Sequence, residues 1–111
     1  MRLFTIATAA ATMAVGSPGI AQARPADCFV RIDGLTVIDG PCDFRAFGGD
    51  GSFQVMTLDG GYFAQVLMTR PGQGEGYWNE ARWADHAHTP LGTLLRQEAC
   101  WSNGYATVCA R

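Results

Sequence analysis

Alternating apolar and polar residues on either side of a tight turn mark the first element of this chain. Asp33-Gly34 is typical of a type I′ turn with a two-residue loop. The register that follows pairs Ile32 with Leu35 and Val30 with Val37. The apolar residues that then share one face of the hairpin are Cys28, Val30, Ile32, Leu35 and Val37.

Further alternating segments follow, each bounded by glycine-containing turns. The Asp-Gly-Pro sequence at 39–41 is expected to end the second strand. The next strands are predicted over residues 44–47, 52–58, 62–69 and 75–78. The Asp-Gly dipeptides recur at irregular spacing, which indicates a series of hairpins rather than a solenoid.

Residues 79–86 are the one segment that favours a helix. Asn79 can cap the helix, Glu80 lies in its first turn, and Pro90 blocks its extension. Trp83 would be the buried residue of this helix.

The C-terminal segment reads as a meander with strands at 93–96, 99–102 and 106–110. Two registers compete in the last hairpin. An Asn-Gly turn would place Trp101 opposite Ala106, and a Gly-Tyr type II′ turn would place Cys100 opposite Cys109. We favour the second, because a disulfide needs Cα atoms within about 7 Å. About eight short strands and one short helix predict a small antiparallel β barrel or sandwich.

The first 23 residues have the pattern of an export signal. Arg2 is followed by an apolar, Ala-rich run over residues 3–15, and residues 21–23 form a small-residue cleavage site. The run is shorter than the roughly 20 residues that span a bilayer, which disfavours an uncleaved anchor. We expect residues 24–111 to be a single small β domain that is periplasmic or secreted, with no membrane insertion after cleavage.

Four cysteines lie in residues 24–111, and an even number in an exported chain indicates two disulfides. Of the three connectivities, we favour Cys28 with Cys42 and Cys100 with Cys109, because each pair brackets a predicted hairpin. No pair has the Cys-x-x-Cys spacing typical of zinc sites. A domain of this size has a small core, so covalent cross-links are expected to support it.

The charge balance and the missing motifs disfavour several function classes. The chain has 8 basic residues, all of them Arg, and 10 acidic residues, for a net charge of −2. It has no basic run, so we expect no nucleic-acid partner. It has no G-x-S-x-G or other catalytic motif, so we expect neither an enzyme nor a cofactor.

Several segments resemble a group of small exported bacterial proteins with no assigned function. The segments are Gly-Tyr-Trp-Asn at 76–79, His-Ala-His-Thr-Pro-Leu-Gly-Thr-Leu at 86–94, Ala-Cys-Trp-Ser-Asn at 99–103 and Val-Cys-Ala at 108–110. This resemblance covers most of residues 24–111 and implies no activity. In architecture alone, the predicted domain also resembles the periplasmic inhibitors of C-type lysozyme, which are small disulfide-bearing β barrels. It lacks their lysozyme-binding loop motif.

His86 and His88 are the candidate metal ligands, with Asp85 and Glu80 nearby. Two histidines separated by one residue can point the same way from an extended segment. The favoured interpretation is structural: His86 interacts with the C-terminus of the predicted helix, and His88 holds the loop before Pro90. We therefore predict no metal site.

Aromatic residues near the predicted helix are the other candidate site. Tyr77 and Trp78 are adjacent in a strand, so one of them should face outward, where Arg82 would complete a protein or glycan contact. The candidate binding residues are Tyr77, Trp78, Arg82, Trp83, His86 and His88. We predict a non-catalytic exported binding module, such as an inhibitor of a cell-wall hydrolase or another envelope enzyme. The alternatives are a metal-binding envelope protein that uses His86 and His88, and a structural subunit of an envelope assembly. The sequence does not indicate an oligomeric state.

Overall fold

Eight antiparallel strands close into a barrel in the computed structural model, which describes residues 22–111. The strands are β1 (Arg24–Ile32), β2 (Leu35–Phe47), β3 (Ser52–Thr57), β4 (Phe63–Arg70), β5 (Gln73–Trp78), β6 (Thr89–Gln97), β7 (Cys100–Ser102) and β8 (Ala106–Ala110). The predicted signal peptide of residues 1–23 lies outside the described residues, except for its last two. Within residues 22–111, no helix is long and apolar enough to cross a membrane.

Each strand pairs with its neighbours in the sequence, and the first pairs with the last. The closing ladder joins β1 to β8 and runs from Cys28 opposite Ala110 to Ile32 opposite Ala106. The predicted barrel is therefore confirmed over the alternative of a sandwich. Closure leaves none of the eight strands with an unpaired edge.

The first hairpin has the predicted turn but a different register beyond it. Ile32 lies opposite Leu35 as expected, whereas Val30 lies opposite Ile38 instead of Val37 because a β-bulge interrupts the ladder. The bulge places Ile38 in the core. Val37 is only partly buried and packs against the core, whereas Leu35, beside the turn, is exposed. The prediction of a shared buried face was therefore wrong for Leu35.

β2 and β6 extend well beyond their predicted bounds. β2 continues through Gly40 and Pro41, where we expected a break, because β1 and β3 pair with successive parts of it. β6 begins at Thr89 rather than at Thr93. Gly92 pairs with Gly76 and Pro90 pairs with Tyr77, so Leu91 between them is the extra residue of a β-bulge.

The predicted helix over residues 79–86 does not form, and the segment is an irregular loop. In a helix, the Trp83 N–H would bond to the carbonyl of Asn79. It donates instead to the Gly61 carbonyl at 2.8 Å. Glu80 and Trp83 also have φ angles of +64° and +72°, which no α-helix contains. Trp83, predicted to be buried, is 60% exposed.

Apolar side chains from all eight strands fill the barrel. β5 contributes glycines that leave room for them. A Cβ atom at Gly76 would lie 2.7 Å from Leu94 Cδ1, and one at Gly74 would lie 2.8 Å from Val66 Cγ1. The interior is thus a packed core, as expected of a small eight-stranded barrel.

Both favoured disulfides are present. Cys28 is bonded to Cys42 across β1 and β2, and Cys100 is bonded to Cys109 across β7 and β8. Cys100 lies directly opposite Cys109, which confirms the second register for the last hairpin. Gly104 has a φ of +86°, as the first position of a type II′ turn requires.

Candidate functional site

One end of the barrel carries the turns and loops that leave β1, β3, β5 and β7, because strands alternate in direction. They comprise residues 33–34, 58–62, 79–88 and 103–105. The 79–88 loop is the longest of them and contains four of the six predicted binding residues. We call this end the loop end of the barrel.

A single buried side chain organises the 79–88 loop. Asn79 is 0% exposed, and its Oδ1 accepts a hydrogen bond from the Phe63 N–H at 3.1 Å. Its Nδ2 donates to the carbonyls of Gly61, Ala81 and Ala84 at 3.0, 3.1 and 3.2 Å. The amide therefore supplies hydrogen-bond partners to the Ala81 and Ala84 carbonyls, which no helix satisfies, and links the loop to Gly61 and Phe63.

Asp59 supports the loop from the neighbouring turn. Its carboxylate accepts hydrogen bonds from the Gly61 N–H at 2.8 Å and the Thr57 hydroxyl at 2.7 Å, and it pairs with the Arg82 guanidinium. The hydrogen bond from the Gly61 N–H makes the largest contribution to lowering the pKa of Asp59 below its ordinary value, followed by that from the Thr57 hydroxyl. The positive charge of Arg82 adds to this effect. Asp59 is therefore ionised at neutral pH and holds Arg82 in place.

Arg82 and Trp83 form the exposed tip of the loop. The Arg82 guanidinium carbon lies 5.3 Å from the ring centroid of Tyr62 and 5.3 Å from that of Trp83. On its other side, the Arg82 side chain covers Gly61, where a Cβ atom would lie only 3.1 Å from Arg82 Cγ. The tip therefore presents an exposed indole beside a guanidinium of defined position.

A small cleft opens beside this tip. Its volume is about 160 Å³, and it is lined by Leu35, Thr36, Val37, Tyr62, Trp78 and Glu80. Tyr62 and Trp78 stack with their ring centroids 6.3 Å apart. The Glu80 carboxylate at its rim accepts a hydrogen bond from the Thr89 hydroxyl at 2.7 Å. The cleft has the mixed apolar and polar lining that suits a protruding side chain of a partner.

The predicted binding residues occupy different environments. Trp78 belongs to the core at 9% exposure, while Tyr77 is half-buried between its cross-strand neighbours Gln65 and Pro90. The sequence predicts that one of the two faces outward; Trp78 faces the core, and Tyr77 is the partly exposed residue of the pair. The structure brings Arg82 and Trp83 together.

His86 and His88 are both exposed and follow the tip of the loop. His88 Nδ1 lies 3.1 Å from the backbone oxygen of His86. Among residues 22–111, no group of three His, Cys, Asp or Glu side chains is arranged to hold a metal ion. In particular, the nearby carboxylates of Glu80 and Asp85 do not complete a three-ligand set with the two histidines.

Sequence reasoning missed the residues that position the tip. The sequence predicts Asn79 as a helix cap, and it places Asp59 in a turn and Tyr62 in a strand. A detectable signal was the Asp-Gly-Gly turn at 59–61, whose second glycine lets both Arg82 and the Trp83 N–H approach closely.

The fold and the site define a small, disulfide-linked, up-and-down β barrel with an ordered aromatic loop at one end. No protein-family model, curated protein or solved structure matches the chain. The proposals below therefore rest on the residues of this chain alone.

Proposed function

We propose that the protein is a non-catalytic, exported binding module that contacts a protein partner in the bacterial envelope through the 79–88 loop. The observation that carries this proposal is the exposed Trp83 beside Arg82, both held by bonds to neighbouring elements. Tryptophan and arginine are the residues most enriched at the energetic centres of protein interfaces. A tip that is ordered before binding loses less conformational entropy in the complex.

Backbone strain in the loop supports a binding role. A positive φ is unusual for a bulky residue, and both Glu80 and Trp83 have one. Such conformations cost free energy and persist only where surrounding contacts impose them, which is common at binding sites. Selection for stability alone would favour glycine at position 83, since glycine has no such cost.

The charge of the loop end favours a basic partner. Asp33, Glu80 and Asp85 are exposed there. Among residues 22–111 the only ion pair is that between Asp59 and Arg82, so the negative charges of these three carboxylates are not neutralised by a cation there. Complementary charge raises the rate of association and selects partners. A basic cell-wall hydrolase of the lysozyme type fits this surface, and the module would then be its inhibitor.

The proposed location is the periplasm or the exterior of the cell. Two disulfides indicate an oxidising compartment, and the export pattern of residues 1–23 supports the same assignment. A non-catalytic role is supported by the absence of catalytic motifs from the sequence.

Binding of the protein to a panel of purified lysozymes and other cell-wall hydrolases would test this proposal. We expect at least one hydrolase to bind with a micromolar or lower Kd and to lose activity on cell walls. Trp83→Ala should weaken this binding at least about ten-fold, as expected of a central interface residue. The matched control is Leu95→Ala, since Leu95 is 56% exposed and lies at the far end of β6. It should change the Kd less than about two-fold.

Two results would contradict the proposal. One is that no hydrolase of the panel binds at micromolar concentration. The other is that Trp83→Ala and Leu95→Ala weaken binding equally, which would place the contact away from the 79–88 loop.

A further inference from the structure

The end of the barrel opposite the 79–88 loop contains a second feature, independent of the function proposed above. A cavity of about 200 Å³ opens there between the start of β1, the turn between β2 and β3, and the end of β6. Its lining includes two arginines, Arg24 and Arg96, and three aromatic residues, Phe44, Phe53 and Trp101. We call this feature the arginine pocket.

The side chains of the arginine pocket form a continuous row. The rings of Phe44 and Phe53 stack with centroids 5.3 Å apart, and Phe53 lies 6.1 Å from Trp101. A guanidinium covers each end of this row. The Arg24 guanidinium carbon lies 4.3 Å from the Phe44 centroid, and that of Arg96 lies 5.8 Å from the Trp101 centroid.

This row holds the two cations in position. Phe53 and Trp101 are only 5% and 6% exposed, so the rings form a rigid support. Cation–π contact restrains each guanidinium on its ring. Arg96 is held further because its Nε donates to the Glu98 carbonyl at 2.8 Å, which leaves its terminal nitrogens for other acceptors. Ordered guanidiniums lose less entropy on binding an anion than mobile ones do.

The positive charge of the pocket has no partner within the described part of the chain. No acidic residue lines the cavity. Across residues 22–111, no carboxylate forms an ion pair with either Arg24 or Arg96. Cleavage after Ala23, which the sequence predicts, would add the α-ammonium group of Arg24 at the same position.

We propose that the arginine pocket binds a compact oxyanion, carried as a carboxylate or phosphate group on a small molecule. Planar guanidiniums match both groups because they donate two parallel hydrogen bonds to paired oxygens. The volume of the cavity suits a small anionic group. Carboxylate and phosphate are distinguished by the test below.

The test follows the indole N–H signals of the protein, expressed from its full chain, by NMR. Inorganic phosphate and propionate are titrated separately at constant ionic strength. We expect at least one of them to shift the Trp101 signal saturably, with a Kd of about 1 mM or tighter. Trp83 lies at the loop end and serves as an internal control, so its signal should not move. The anion that saturates identifies the ligand group as phosphate or carboxylate.

Arg24→Gln and Arg96→Gln should each weaken this binding at least about ten-fold. The matched control is Arg45→Gln, because Arg45 is exposed on β2 near the same end but does not line the cavity. It should leave the Kd unchanged. The proposal is overturned if neither anion gives a saturable shift at Trp101, or if Arg45→Gln weakens binding as much as the pocket variants do. Neither result would affect the proposal for the 79–88 loop, which concerns the other end of the barrel.

Discussion

Asn79 determines the conformation of a loop that has no regular secondary structure. One fully buried amide accepts from one backbone N–H and donates to three carbonyls. Buried backbone groups without partners are costly, so these bonds restrict the loop to a single arrangement. The conformation of the exposed tip therefore depends on a residue that no partner would touch.

Replacement of Asn79 should destabilise the whole protein. Asn79→Ala leaves the buried Phe63 N–H without its acceptor and the Ala84 carbonyl without its amide donor, while Gly61 and Ala81 keep backbone donors. We expect the free energy of unfolding to fall by about 2–3 kcal/mol. Asn79→Asp should cost more, because the carboxylate retains the acceptor, loses both donors and faces carbonyl oxygens. Urea denaturation measures both effects. A loss below about 0.5 kcal/mol for Asn79→Ala would contradict the role assigned to the amide.

The residue types identify Arg82 and Trp83 as candidate binding residues, but the sequence predicts a buried Trp83 in a helix rather than an exposed tip. Trp83 is instead 60% exposed. The sequence predicts a helix cap at Asn79, since a cap and a loop support use the same amide groups. The difference depends on the Gly61 carbonyl, 18 positions away in sequence. A pattern of neighbouring residues contains no information about such a contact.

At the scale of elements, the turn around Asp59 and the 79–88 loop form one unit. The Gly61 carbonyl accepts from both Asn79 and Trp83, and the Asp59 carboxylate holds the Gly61 N–H and Arg82. The ion pair is exposed and contributes little stability by itself. Its effect is to orient the Arg82 guanidinium toward Tyr62 and Trp83.

The response of this unit to pH follows from the lowered pKa of Asp59. Since the folded-state pKa lies below the unfolded value, the contribution of Asp59 to stability is present above the unfolded pKa. It is lost as the pH falls through the folded pKa. We therefore expect the 79–88 loop to keep its conformation from neutral pH down to the ordinary Asp range and to change only below that range.

NMR titration of the Asp59 carboxyl carbon measures this behaviour. Its midpoint should lie below that of the same residue in the urea-unfolded chain, and the Gly61 and Trp83 amide signals should shift with the same midpoint. Thr57→Val removes one hydrogen bond to the carboxylate and should raise the midpoint. Equal midpoints for the folded and unfolded chains would disprove the assigned hydrogen bonds.

The strand register was predicted correctly for the last hairpin but not for the whole of the first. In the last hairpin, the Cys100–Cys109 disulfide selected the right register from two. In the first, the turn was right, but the bulge beyond it moved Ile38 rather than Val37 into the core. Both residues are apolar and β-branched, so the local pattern fits either register. The choice depends on packing inside the closed barrel.

At the scale of the whole molecule, closure depends on contacts that are distant in sequence. The segment Cys28–Ile32 pairs with Ala106–Ala110, so the two ends of the described chain complete the sheet. The alternating pattern predicted strands and an antiparallel class, yet it left the barrel and the sandwich equally open. The distinction requires the β1–β8 ladder, which no local turn encodes.

The two disulfides should contribute unequally to the stability of this closed barrel. The loops that they close span 14 and 9 residues, so loss of chain entropy alone gives each a similar contribution of about 3 kcal/mol. Cys28 and Cys42, however, are 3% and 1% exposed and belong to the core cluster. Cys109 is 4% exposed but lies outside that cluster, and Cys100 is half-buried. Removing the first pair also leaves a cavity beside the β1–β8 ladder.

We therefore expect Cys28→Ala/Cys42→Ala to lower the free energy of unfolding by at least about 1 kcal/mol more than Cys100→Ala/Cys109→Ala. Urea denaturation of both double variants measures the difference. Reduction with dithiothreitol is the control, because it opens the disulfides without removing side-chain atoms. If the difference between the double variants persists unchanged in fully reduced proteins, it arises from core packing. If the double variants are equally stable under oxidising conditions, the disulfide inside the barrel has no additional role in the core.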